Sequence, residues 1–87
     1  MSWRVIFNKQ AKKDAVKIDR AGLKPQVTRL LKILKKNPYQ NPPPFEKLFG
    51  EFTGLYSRRI NIHHRLVYRI FEADNAVMVV RMWTHYR

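Results

Sequence analysis

The residues best suited to chemistry lie late in the chain. Between Ser57 and Arg69 four arginines, Arg58, Arg59, Arg65 and Arg69, fall in two extended runs. Ser57, Arg59 and Asn61 fall on one side of the first run, with Tyr56, Ile60, Ile62 and also Arg58 on the other. In the second run Arg65, Val67 and Arg69 alternate with Leu66, Tyr68 and Ile70. A bulge or an odd residue count at His63-His64 brings both apolar sets to one core, so that Ser57, Arg59, Asn61, Arg65 and Arg69 line the free face. Such a face is a basic platform suited to a phosphate backbone, because each planar guanidinium can offer an anion two hydrogen bonds at once. The plainer reading is a solvated sheet face.

Three more residues have types that transfer protons or stack bases. Glu46 carries a carboxylate that can accept a proton, His85 titrates near neutrality and can donate one, and Tyr86 offers an aromatic surface to an unstacked base. Each also has a structural explanation: Glu46 as a solvated connector residue, His85 as a terminal histidine without a task, Tyr86 as a docking aromatic. Trp83 reads as core or rim packing, and His63 and His64 as solvated turn residues. With no cysteine, the chain has neither a disulfide scaffold nor a thiolate metal site nor a cysteine nucleophile. It also shows no metal-ligand spacing and no glycine-rich phosphate loop, so no cofactor or metal is expected.

Charge supports a polyanionic partner. Eighteen lysines and arginines stand against six acidic residues, giving a net charge of +12 on 87 residues. A hydrophobic content of 45% with 13% aromatics is ample for a packed interior and too high for a disordered chain. At this length one domain, 1–87, with one core is expected. Charge appears within the first ten residues, so the N-terminus reads as neither a signal peptide nor a membrane span, and a cytoplasmic protein is expected.

The elements that must position these residues follow from periodicity. Trp3 to Phe7 is a β-branched and aromatic run closed by Asn8, an acceptable N-cap, so a strand passes directly into a helix from about Lys9 to Arg20. Phe7, Ala11, Ala15 and Ile18 give that helix a narrow apolar stripe, and Ala21-Gly22 ends it. A second helix begins near Leu23, tolerates Pro25 in its first turn, carries Leu23, Val27, Leu30, Leu31 and Leu34 on one face, and stops before Pro38. Four prolines make 37–45 an extended connector leading to Glu46. Three β-rich runs, Leu55 to Ile62, Arg65 to Phe71 and Ala76 to Thr84, form an antiparallel meander. The expected class is α+β: a strand, a helical hairpin, then three strands, with both helices on one face of the sheet.

Glu46-Lys47-Leu48, then Gly54-Leu55-Tyr56-Ser57-Arg58-Arg59-Ile60, His64-Arg65-Leu66-Val67-Tyr68 and finally His85-Tyr86 resemble the Txe/YoeB family of the RelE toxin superfamily. The likeness covers the C-terminal half closely. The N-terminal half agrees only in its strand, helix, helix pattern and proline connector. The resemblance implies a RelE-like microbial ribonuclease fold and an mRNA interferase, the toxin of a type II toxin–antitoxin pair, that cuts messenger RNA in the ribosomal A site without a metal. It implies a cognate antitoxin, acidic and partly disordered, of the YefM/Axe kind, and allows a homodimer. Carried over by position, Glu46 is the general base, Arg65 the transition-state arginine, His85 the acid and Tyr86 the substrate-orienting tyrosine. Arg59 matches a phosphate-contacting position, and Lys47, Arg58 and Arg69 are expected to bind substrate beside it. The chain departs from its relatives at Phe49, where they often carry a lysine, and at Arg87, which follows the tyrosine that commonly ends the chain. Two rivals compete with this reading. A non-catalytic RNA-binding module leaves Glu46 and His85-Tyr86 unexplained, and a topoisomerase-poisoning relative of the same superfamily is opposed by the terminal His85-Tyr86.

Overall fold

A computed structural model describes residues 2–83. The first apolar run forms strand β1, Arg4–Phe7. Asn8 then turns the chain: its backbone is extended, and its Oδ1 accepts the Ala11 N–H at 2.8 Å, capping helix α1, Lys9–Arg20. These are the expected helix bounds. Helix α1 buries Ala11, Asp14 and Ile18, three and four residues apart, so an acid sits within its apolar stripe. Gly22 takes a positive φ of 74° at the reversal. Helix α2, Lys24–Lys36, has Pro25 in its first turn, buries Val27, Leu30 and Leu34, and ends on Lys35 and Lys36, where the helix dipole favours positive charge.

The remaining strands are β2 (Glu46–Lys47), β3 (Tyr56–Arg59), β4 (Arg65–Phe71) and β5 (Ala76–Arg81). The sheet order is β1-β5-β4-β3-β2, with β1 parallel to β5 and the other pairs antiparallel. The α+β class, the hairpin and the meander are as expected. Among the described residues the sheet nevertheless has five strands where four were expected, because Glu46 and Lys47 pair with Ser57 and Tyr56 at its edge. Two residues are too few to show a period of two.

Two meander strands are shorter than their sequence runs. Strand β3 stops at Arg59, since Ile60 and Asn61 both donate their N–H to the His64 carbonyl and the chain turns. Asn61 was expected on the basic platform. Its Oδ1 instead accepts the N–H of His63 at 2.9 Å and of His64 at 2.7 Å, which shapes the turn. Strand β5 ends at Arg81, not Thr84. Val67 stands opposite Arg81 and Tyr68 opposite Val79, so Val80 is a bulge residue that bends the end of the strand. Both helices contribute to one core with Ile60, Leu66, Tyr68, Val77 and Val79 of the sheet, and among the described residues the other sheet face carries no helix.

Candidate active site

Register assembles the site. Glu46 lies directly opposite Ser57, Ser57 opposite Val67, and Arg59 opposite Arg65. Directly paired residues share a face, so these side chains stand on the face turned away from Tyr56, Leu66, Tyr68 and the helices. Pro44, Phe45, Glu46, Ser57, Arg59 and Arg65 line one cleft of about 310 Å³. The structure thus gathers Glu46, Arg59 and Arg65 around one space. The two guanidinium groups face each other as cross-strand neighbours, an arrangement that is repulsive by itself. Among the described residues neither has a carboxylate partner to relieve it. An anion between them would. Ser57, at 1% exposure, forms the floor; its buried Oγ has no hydrogen-bond partner among the described residues, which costs about 1–3 kcal/mol.

Three other expected substrate contacts lie elsewhere. Lys47 follows Glu46 in an extended segment and so points to the opposite side, where it borders a second hollow with Leu48, Phe49, Gly54 and Tyr56. Arg69 shares the open face with Arg65 but lies farther along β4, its guanidinium close to Gly54: a Cβ built there would meet Arg69 Nη1 at 3.3 Å. Arg58 corrects the sequence reading outright. It was expected to bind substrate, yet it is 1% exposed and lies on the core side of β3. Its Nε donates to the Tyr68 hydroxyl at 3.0 Å, Nη1 to the Pro43 carbonyl at 2.6 Å, and Nη2 to the carbonyls of Pro38 at 2.9 Å and Gln40 at 2.8 Å. With these donors engaged inside the fold, it presents no fork to a phosphate. His85 and Tyr86 lie outside the described residues.

Arg58 instead explains how Glu46 is placed. Three of its bonds gather the proline connector against β3, and its guanidinium carbon stands 4.9 Å from the centre of the Phe45 ring, the residue before Glu46. Phe45 in turn meets Tyr56 at 5.8 Å, and Tyr56 stacks on Tyr68 at 5.8 Å. Burial pushes the Tyr68 hydroxyl above its ordinary range, against the opposing pull of Arg58. It stays a protonated donor, bonded to the Pro38 carbonyl at 3.3 Å.

Asp14 is the residue that the sequence reading missed. Only 2% exposed, it accepts the N–H of Met82 at 2.9 Å and of Trp83 at 3.2 Å through Oδ2, and Gln10 Nε2 at 2.9 Å through Oδ1. Burial alone would raise its pKa, but the bonds from Met82, Gln10 and Trp83, with the charge of Lys17, outweigh burial and lower it. The carboxylate therefore fixes the chain just beyond β5, where Trp83 stacks on His64 with ring centres 4.1 Å apart. The signal was an acid at position 14, in helical phase with Ala11 and Ile18. On the helix side, an apolar groove of about 350 Å³ between Phe7, Val16, Val27 and Leu31 holds none of the candidate residues.

Solved structures with this fold include toxins of bacterial toxin–antitoxin pairs. The YoeB dimer from Staphylococcus aureus matches with a TM-score of 0.80 and 31% identity, over 99% of this chain and 100% of that one. The heterotetrameric YoeB–YefM toxin–antitoxin complex from the same organism matches with a TM-score of 0.79 and 30% identity, over 99% and 100%. A YoeB toxin of Mycobacterium bovis is 38% identical over 61 residues, 70% of this chain and 69% of the relative. The profile of the YoeB-like toxin of bacterial type II toxin–antitoxin systems matches residues 7–86, and the chain belongs to that family.

Proposed function

We propose that this toxin is a single-domain, ribosome-dependent endoribonuclease that cuts messenger RNA in the A site and so inhibits translation in the cytoplasm. The observation that carries the reading is the cleft in which a carboxylate, Glu46, stands beside two arginines, Arg59 and Arg65, that have no carboxylate partner among the described residues, on the helix-free face. RNA supplies its own nucleophile. When the 2′-hydroxyl attacks the adjacent phosphorus, a base must take its proton and an acid must protonate the departing 5′-oxygen. Glu46 is the base. Negative charge grows on the phosphoryl oxygens during attack, and Arg65, with Arg59 across from it, meets that charge with fixed donors. The family resemblance assigns His85 as the acid and Tyr86 as the surface that holds the reacting base in line. The products are a 2′,3′-cyclic phosphate, or the 3′-phosphate from its hydrolysis, and a 5′-hydroxyl.

A charge of +12 suits both the ribosome and an acidic, partly disordered antitoxin of the YefM/Axe kind that folds as it binds. The Staphylococcus aureus YoeB–YefM complex and YoeB dimer support a cognate antitoxin and a homodimer as partners. The test is a translating extract programmed with one message, with its 5′ ends mapped. Wild type should cut at A-site positions, and Glu46→Gln should bind ribosomes equally while cutting ~10² to 10⁴-fold more slowly. Equal single-turnover rates would show that another group takes the proton.

A further inference from the structure

One donor in the cleft lacks a partner among the described residues. The Ser57 hydroxyl stands directly across from Glu46 and two residues from Arg59 on the same face, in a residue 1% exposed, with its Oγ buried and unbonded among the described residues. Its other cross-strand neighbour, Val67, has no polar side-chain atom to offer. Two guanidinium groups without carboxylate partners among the described residues border the same space. An alanine here would keep the strand and remove an unpaired polar group. The serine therefore lowers stability in the free protein, as residues held for a ligand often do.

Two cations and an unused O–H around one cleft call for an acceptor that carries negative charge on more than one oxygen. We propose that Ser57 is the third donor of a phosphate cradle, its hydroxyl hydrogen-bonding a non-bridging oxygen of the phosphodiester held between Arg59 and Arg65. The inference rests on the RNA-cleaving reading of this cleft for the identity of its ligand. Ser57 transfers no proton and forms no covalent bond. It strengthens its hydrogen bond as charge builds on the oxygen it touches, which makes it a catalytic residue in the same sense as Arg65.

The experiment compares wild type with Ser57→Ala in three measurements: thermal melting, binding, and single-turnover cleavage on programmed ribosomes. Binding is followed through the Arg59 and Arg65 Nε–H resonances during titration with inorganic phosphate, and then with a dinucleotide whose 2′-deoxy sugar blocks cleavage. Ser57→Ala should melt at or above wild type, bind both probes about ten- to a hundredfold more weakly, and cleave more slowly by a similar factor. Equal affinity in the two proteins overturns the cradle, as does a wild type in which neither probe moves either guanidinium resonance. A lower melting temperature with unchanged affinity makes the hydroxyl structural, and likewise overturns it. The two readings fail separately. If wild type cuts no message yet Ser57→Ala weakens phosphate binding, the nuclease reading falls and the cradle stands; normal cleavage and binding by Ser57→Ala has the reverse meaning.

Discussion

Replacing Arg58 with lysine tests how the proline connector is held. The guanidinium makes four hydrogen bonds of 2.6–3.0 Å, three of them to carbonyls fifteen to twenty residues away in sequence. A hydrogen bond from a charged donor contributes about 1.5–3 kcal/mol, so the gross value of the set is about 6–12 kcal/mol. Burying the cation offsets several kcal/mol of this. Arg58→Lys keeps that burial cost, because the ammonium is still charged, but its three donors radiate from one nitrogen and cannot span the Tyr68 hydroxyl and three separated carbonyls. Losing two bonds predicts a destabilisation of about 3–6 kcal/mol. In a domain of this size even the lower figure corresponds to roughly 12–24 °C in melting temperature. Arg58→Met, which removes the buried charge as well, should fall less far despite the stranded carbonyls. Urea and thermal unfolding measure the total. Hydrogen exchange at the Leu48 amide, bonded to the Leu55 carbonyl at 2.9 Å just beyond β2, reads the local effect. Arg58→Lys melting within about 2 °C of wild type, with Leu48 still protected, would refute the clamp and its role in placing Glu46.

Three further outcomes are expected. Asp14→Asn should destabilise the fold by about 2–3 kcal/mol near neutral pH. The folded carboxyl titrates below its ordinary value of 3.8, so its contribution is complete above the usual carboxylate range and is lost as pH falls through the folded value; urea titrations should show the gap to wild type closing below about pH 4, and a constant gap would contradict this. Arg65→Lys keeps a charge but loses the two-pronged fork, and should cut message at least ~10²-fold more slowly while still binding ribosomes; wild-type cleavage would show that a point charge suffices. His85→Gln should leave the melting temperature unchanged and slow single-turnover cleavage by ~10² to 10⁴, whereas a large drop in melting temperature would make this histidine structural.

Much of the platform was legible because alternation is a strict rule. Once Leu66, Tyr68 and Ile70 are assigned to the core, Arg65 must lie on the other face, and pairing with β3 brings Arg59 across from it. Helix α1 was legible to the residue because its cap, its stripe and its glycine stop agree. What escaped depended on partners distant in sequence. The edge strand β2 exists only because β3 is there to pair with, and Asp14 is explained only by the amides of residues 82 and 83, sixty-eight and sixty-nine positions away.

Arg58 escaped for a different reason, and its case shows how a charge can belong on an apolar face. Alternation had already set it among Tyr56 and Ile60, yet a cation reads by habit as exposed. The connector supplies the missing half of the account. Pro38, Pro42, Pro43 and Pro44 carry carbonyls but no N–H, so 37–45 brings more acceptors into the fold than its own backbone can satisfy. A donor-rich side chain must come from elsewhere, and arginine, with five N–H groups and no acceptor, fits that deficit better than any other residue. Arg58 bonds the carbonyls of Pro38, Gln40 and Pro43, all in the connector that leads into Phe45 and Glu46, so these bonds also fix where the carboxylate stands. The proline-rich connector and the buried arginine are thus one device. A chain that lengthened the connector or lost Arg58 would keep Glu46 in its sequence without holding it at the cleft.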